Sequence, residues 1–230
     1  LVWHGQLPAW VMSLTGDGVR QAMRNHIAAV AGHYAGDVVA WNVVNEAIDD
    51  NGARRDSVFQ RQLGADYIAE AFRATKAADP AAKLYYNDFD IEGINAKSDA
   101  VFELVHSLRQ EGLIDGVGFQ GHFVLGQIPV DLQENIERFV ALGVEVTITD
   151  LDIRIELPVD AAELAQQAID YATVVNACRA AGCEGIVLSE VTDEFSWVPI
   201  TFPGFGAPLL FDNNYGKKPA YHAVAGALSG

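Results

Sequence analysis

Six short apolar runs, near residues 1–4, 38–45, 83–88, 116–121, 145–150 and 185–190, alternate along this chain with stretches of helical periodicity. Each run is rich in β-branched and aromatic residues and mostly apolar from end to end, as a strand buried on both faces must be. Val19, Met23, Ile27, Val30 and Tyr34 mark one helical stripe, and Ile68, Phe72 and Thr75 mark the next, which stops at Asp79-Pro80. Val101, Leu104, Val105 and Leu108 mark a third, Leu132, Ile136, Phe139 and Val140 a fourth, and Leu164, Ala168, Tyr171, Val175 and Cys178 a fifth. Gly36, Gly112, Gly143 and Gly182 stand where four of these helices should end, and a last helix opens at Pro219, where a first-turn proline is tolerated. Strand and helix in repeated alternation predict an α/β fold on a parallel sheet. No linker or low-complexity tract divides it, so a single domain over 1–230 is expected.

Every one of these runs finishes in polar residues: His4, Asn45-Glu46, Asn87-Asp88, Gln120 and His122, Asp150 and Asp152, then Ser189-Glu190. In a parallel sheet the carboxyl ends of the strands lie on one side, where open α/β sheets and closed βα barrels alike place their ligand sites. Any one such residue is explained as a turn polar or a helix cap. Five carboxylates, two histidines and two tryptophans at or near six successive strand ends are explained less economically that way. Paired carboxylates supply acid, base or nucleophile to glycoside cleavage, and flat indole faces stack on the C–H surfaces of sugar rings. A carbohydrate site is therefore the expectation.

Composition removes other classes. Half of the residues are hydrophobic and only a fifth are charged, which is too apolar for a disordered chain. A formal net charge of −16 repels phosphate backbones and anionic bilayers, so neither nucleic acid nor membrane is expected as a partner. The two cysteines, Cys178 and Cys183, lack zinc-site or redox-motif spacing, which leaves a bridge or two small core residues open.

Val43-Val44-Asn45-Glu46-Ala47, with Trp41 ahead of it and Thr149-Asp150-Leu151-Asp152-Ile153-Arg154 far along the chain, resembles glycoside hydrolase family ten, the retaining endo-β-1,4-xylanases. The likeness runs on through Leu1-Val2-Trp3-His4-Gly5-Gln6-Leu7-Pro8, Tyr86-Asn87-Asp88-Phe89-Asp90, Gly116-Val117-Gly118-Phe119-Gln120-Gly121-His122, Asp193-Glu194-Phe195-Ser196-Trp197 and Lys218-Pro219-Ala220-Tyr221. Bacterial, actinomycete-type members look closest by these motifs. The resemblance implies a TIM (β/α)₈ barrel, of which about six βα units fall in this chain. It implies a missing N-terminal segment, or a carbohydrate-binding module, outside it. It also implies secretion to the extracellular space, xylan or a related β-1,4-linked polysaccharide as substrate, and neither cofactor nor metal.

Carried over residue by residue, the resemblance makes Glu46 the acid/base and Asp150 the nucleophile. His122 would orient that nucleophile and Asp152 would hold His122. Asn45 would bond the sugar 2-hydroxyl, and Trp3, Gln6, Asn87, Gln120 and Trp197 would line the sugar subsites. Cys178 and Cys183 match a family disulfide. Three features depart from the family: Asp150 stands where it has glutamate, Ser189-Glu190 where it has Trp-Gly, and the first two βα units are expected to be absent. Phe89 for the usual tyrosine is a minor change. These departures keep a second expectation open, a chain that grips β-1,4-glycans without cleaving them. A third takes Asp88, Asp150, Asp152 and Glu190 as ligands of a divalent cation.

Overall fold

A computed structural model describes residues 1–229. In chain order its elements are β1 (Val2–Trp3), α1 (Ala9–Met12), α2 (Asp17–His33), β2 (Ala40–Asn45), α3 (Val58–Leu63), α4 (Tyr67–Ala78), β3 (Lys83–Asp88), α5 (Ala96–Gln110), β4 (Gly116–Phe119), β5 (His122–Val124), α6 (Leu132–Val140), β6 (Glu145–Glu156), α7 (Ala161–Ala181), β7 (Gly185–Leu188), α8 (Val198–Thr201), β8 (Phe205–Gly206) and α9 (Pro219–Ser229). The chain forms two compact units, Leu1–Gly118 with Ala141–Glu145, and Phe119–Val140 with the chain from Val146 onward.

In the first unit β1, β2 and β3 pair in parallel, with Trp3 opposite Asn45 and Asn45 opposite Asn87. That register sets the three residues abreast at the carboxyl ends of their strands. Opposite β3, β2 carries one extra residue at Val43, between the pairs Asn42 to Tyr85 and Val44 to Tyr86. Such a bulge bends a strand and re-aims the side chains that follow it. Val43, Leu84, Tyr86 and Val117 are buried beneath Ile27, Ile68, Phe72, Val101 and Val105 from the helices. At Gly116 a Cβ would fall 2.3 Å from the Tyr85 ring, so β4 can lie beside β3 only with glycine there.

The second unit is organised on β6, which pairs in parallel with β5 and β7 and antiparallel with β8. Against β7, β6 carries an extra residue between Ile148 and Leu151, so this bulge falls on Thr149-Asp150. The core is Phe119 edge-on to Phe139, with Ile148, Leu151, Ile153, Tyr171 and Val174 around them.

Some expectations give way to local physics. The run at 116–121 breaks after Phe119 because Gly121 takes φ +78°, a left-handed conformation open to glycine, and pairing resumes at His122. The run at 145–150 continues to Glu156, since Leu151, Ile153 and Ile155 stay buried. β8, two residues long, has no period to read. The stripe on α2 ends earlier than expected, with Tyr34 exposed past the helix. On α7 the first turns bury Gln167 and Asp170 rather than Leu164 and Ala168. Both polar groups serve backbone: Gln167 Nε2 donates to the carbonyls of Ile153 and Ala207, and Asp170 accepts from the Gly126 amide. At the other end of α7, Gly182 takes φ +77° as a left-handed cap, and the chain turns back so that Cys183 is joined to Cys178.

Candidate active site

At the end of β2 the chain turns sharply at Glu46, a non-glycine residue with φ +55°. Strain of this kind persists only where surrounding contacts enforce it, and here they do. The Glu46 amide donates to the Asn87 carbonyl at 2.9 Å, and Arg55 Nε donates to the Glu46 carbonyl at 2.8 Å. The carboxylate is held at both oxygens: Trp3 Nε1 donates to Oε2 at 2.9 Å, and Asn45 Nδ2 donates to Oε1 at 2.9 Å. Asn45 is itself fixed by Asn87 Nδ2, which donates to its Oδ1 at 2.9 Å. The row set up by the strand register thus becomes a chain of amide and indole donors ending on one carboxylate. Trp3 keeps 37% of its surface exposed beside it.

Positive charge lies beneath this carboxylate. Lys97 is 2% exposed, pairs with the fully buried Asp88 at 3.0 Å, and places its ammonium 3.3 Å from the centre of the Phe89 ring. Burial pushes the Asp88 carboxyl above its ordinary value, against the opposing pull of Lys97. Burial, and then the Arg55 guanidinium, push His4 below the usual imidazole value, while Glu46 acts the other way. His4 is therefore a neutral ring at pH 7. Gln6, by contrast, lies exposed in the loop after β1 with φ +54° and is not tied to this cluster.

In the second unit the convergence point is Asp152, which is fully buried. Its Oδ2 accepts from Trp197 Nε1 at 2.8 Å, and His122 Nδ1 and Ser189 Oγ lie 2.9 and 3.0 Å from it. Since the indole can only donate, that oxygen is an acceptor, so His122 Nδ1 carries the hydrogen. Ser189 Oγ also lies 2.8 Å from Glu190 Oε2, and its single hydrogen serves one carboxylate at a time. Trp197 stands edge-on to His122 at 4.8 Å between ring centres. Asp150 and Asp152 are fixed by backbone bonds, their amides donating to the carbonyls of Gln120 and Gly121 at 2.9 and 3.2 Å. Asp150 remains half-buried, and Gln120 is buried at the end of β4.

Asp88 faces an ammonium, and Asp152 faces indole, imidazole and hydroxyl donors, which is not the chemistry of a cation cage. Among the described residues no group of three His, Cys, Asp or Glu side chains is arranged to hold a metal ion. Arg55, Tyr86 and Lys97 shape the first cluster without having been singled out from sequence. Arg55 sits in a polar loop, Tyr86 reads as one apolar strand residue among several, and Lys97 falls in the first turn of α5, where a lysine is ordinarily solvated. Only their position behind the Glu46 turn gives them meaning.

The chain matches the model of glycosyl hydrolase family 10 over residues 1–227. It is 47% identical to an endo-1,4-beta-xylanase of Agaricus bisporus over 99% of its own length and 70% of that protein. With endo-1,4-beta-xylanase 5 of Pyricularia oryzae it shares 48% identity over its full length, but spans only 58% of that relative. Among solved structures, a glycosylated endo-beta-1,4-xylanase from Gloeophyllum trabeum superposes with a TM-score of 0.98 at 50% identity, covering 100% of this chain and 74% of the other. Xylanase 10B from Thermotoga petrophila, crystallised with xylobiose, gives 0.96 at 41% identity, covering 99% and 72%. These relatives are fungal apart from the Thermotoga enzyme, and they lend no support to the actinomycete-type leaning of the motifs. They do bear out the α/β class expected from the strand and helix alternation and the barrel that the resemblance implies. The chain belongs to glycosyl hydrolase family 10.

Proposed function

We propose that this chain is the xylan-cleaving part of an endo-1,4-beta-xylanase working by retaining double displacement, with 1–230 as one catalytic domain. Glu46 protonates the leaving glycosidic oxygen and then deprotonates water, and Asp150 attacks the anomeric carbon. Asp152 orients His122, and His122 steadies the nucleophile. Trp3, Gln6, Asn45, Asn87, Gln120 and Trp197 contact the sugars. The observation that carries this reading is the Glu46 carboxylate held between Trp3 Nε1 and Asn45 Nδ2, in a chain of this family.

Xylan as substrate is supported by the xylanase names of the relatives and by the xylobiose in the Thermotoga complex. Secretion is supported by the fungal relatives and by the Cys178–Cys183 bridge, since such bonds persist in oxidising surroundings. No helix among the described residues is long and apolar enough to cross a membrane. A binding-only chain gains nothing from these relatives, all of which are named as enzymes.

The test is Glu46→Ala, assayed for the glycosylation step on aryl xylosides of differing leaving group. Acid assistance matters most for a basic leaving group, so the phenyl glycoside should slow by about 1000-fold and a dinitrophenyl glycoside far less. Equal loss on both, in a variant that melts like the parent, would refute the acid role.

A further inference from the structure

We propose that Tyr86 is a positioning residue for Glu46, acting through the peptide that follows it; this rests on Glu46 being the acid/base. Tyr86 is fully buried on β3, and its hydroxyl accepts from the Ala47 amide at 2.9 Å while donating to Asp88 Oδ2. Asp88 Oδ1 in turn takes the Phe89 amide at 3.0 Å and the Lys97 ammonium at 3.0 Å. The hydroxyl is thus a relay between a buried ion pair and the backbone one residue beyond Glu46.

Three bonds define the turn that aims the Glu46 side chain. The Glu46 amide reaches Asn87, its carbonyl receives Arg55, and the next amide reaches Tyr86. The first holds the peptide before a residue at φ +55°, and the other two hold the peptide after it, which without the Tyr86 bond would be held by Arg55 alone of these three. A residue in that sparsely populated region relaxes when its constraints are removed. Without the Tyr86 hydroxyl the buried Ala47 amide loses this acceptor and Asp88 loses a donor. Burial and the Asp88 charge raise the Tyr86 hydroxyl well above its ordinary value, in keeping with a hydroxyl that donates to Asp88. A rigid hydroxyl of this kind fixes the carboxylate at the precision general acid transfer requires, where about 1 Å of misplacement is costly.

Tyr86→Phe removes one oxygen and keeps the ring that fills the core. The chain, this variant and Glu46→Ala are compared on a phenyl and a dinitrophenyl glycoside of xylobiose, with amide hydrogen exchange followed at Ala47. Tyr86→Phe should lower kcat/KM, which reports the glycosylation step, by about tenfold on the phenyl glycoside, change it less than about twofold on the dinitrophenyl glycoside, and speed exchange at Ala47. Equal losses on the two substrates, or unchanged rates, overturn the positioning role. Should the Phe variant not fold, Tyr86→Ile carries the same comparison, and failure of both to fold marks Tyr86 as a core residue only. Leaving-group selectivity in Glu46→Ala but not in Tyr86→Phe defeats this proposal alone. Its absence in Glu46→Ala, or no turnover by the unsubstituted chain, defeats the acid assignment and this proposal with it.

Discussion

Of the two carboxylates proposed to do chemistry, one follows a slip in strand register and the other lies in one, and the two slips are used differently. In β2 the extra residue is Val43, two positions before Asn45, so the strand is redirected first and the turn at Glu46 is then built on regular pairing to Trp3 and Asn87. In β6 the extra residue falls on Thr149-Asp150 itself. Around Glu46 the donors converge on the reacting carboxylate, from Trp3 and Asn45. In the second unit they converge two residues further on, at Asp152, where Trp197, His122 and Ser189 share one oxygen. Asp150 is fixed through its amide. One unit thus organises the side chain that reacts, and the other organises its neighbour. A residue at a bulge, held by its backbone, depends on side-chain length to reach its target, and aspartate is one carbon shorter than glutamate.

That difference sets the largest expected effect. Asp150→Glu advances the carboxylate by about 1.5 Å, one C–C bond. Misplacement of about 1 Å costs on the order of 100-fold, so the variant should gain up to that factor on an aryl xyloside with the anomeric configuration retained. Product anomers read by NMR decide the outcome. No gain, or an inverted product from the unsubstituted chain, would mean that Asp150 is not a shortened nucleophile and that the contrast between the two slips has no catalytic meaning.

A smaller effect concerns how the second unit is secured. The Cys178–Cys183 bond closes a loop of only a few residues at the end of α7, just before β7, which carries Ser189 at its carboxyl end. Loop-closure entropy assigns such a bridge about 2 kcal/mol. Replacing both cysteines by alanine should lower unfolding free energy in urea by no more than that, with kcat nearly unchanged. A larger drop in kcat than in stability would show that the bridge orders the Ser189 end of β7.

How much of this could be read from the sequence divides along the same physical line. The six strand ends were legible because burial on both faces forces apolar runs and parallel pairing forces their polar ends to one side. Asn45, Glu46, His122, Asp150 and Asp152 were legible because they carry motifs. The bulges were not, since an extra residue leaves no mark on hydrophobicity, and Gly121 broke an apparent strand through its backbone angle alone. Lys97 and Tyr86 were hidden for another reason. Their burial is compensated by each other's neighbour, Asp88, and a partner 9 residues from one and 2 from the other becomes visible only once β3 and α5 are packed. Gln167 on α7 was hidden in the same way, by backbone carbonyls that no side-chain pattern announces.

The smallest effect sets one carboxylate of each unit against the other. Asp79, which ends α4 in the first unit, is held below its ordinary value, first by the Trp41 indole, 2.9 Å away, and then by backbone amides. Asp193 in the second unit is pushed up by burial, with Lys218 at 3.0 Å opposing the shift. The consequences for stability have opposite sign. A lowered carboxyl adds stability above the unfolded value, near about 3.9, and gives it up as pH falls through the lower folded value. A raised one binds its proton more tightly when folded, so it subtracts stability as pH rises through the interval between the unfolded and folded values. Trp41→Phe removes the indole donor and keeps an aromatic ring in β2. Urea unfolding followed below pH 4 should then show a shallower loss of stability on acidification than in the parent, because less of Asp79's contribution remains to be lost. The decline above pH 4 assigned to Asp193 should stay as it was. If the acid limb kept its slope, the Trp41 bond would not be what lowers Asp79, and the backbone amides of Ala81, Gly36 and Ala82 would be its cause instead.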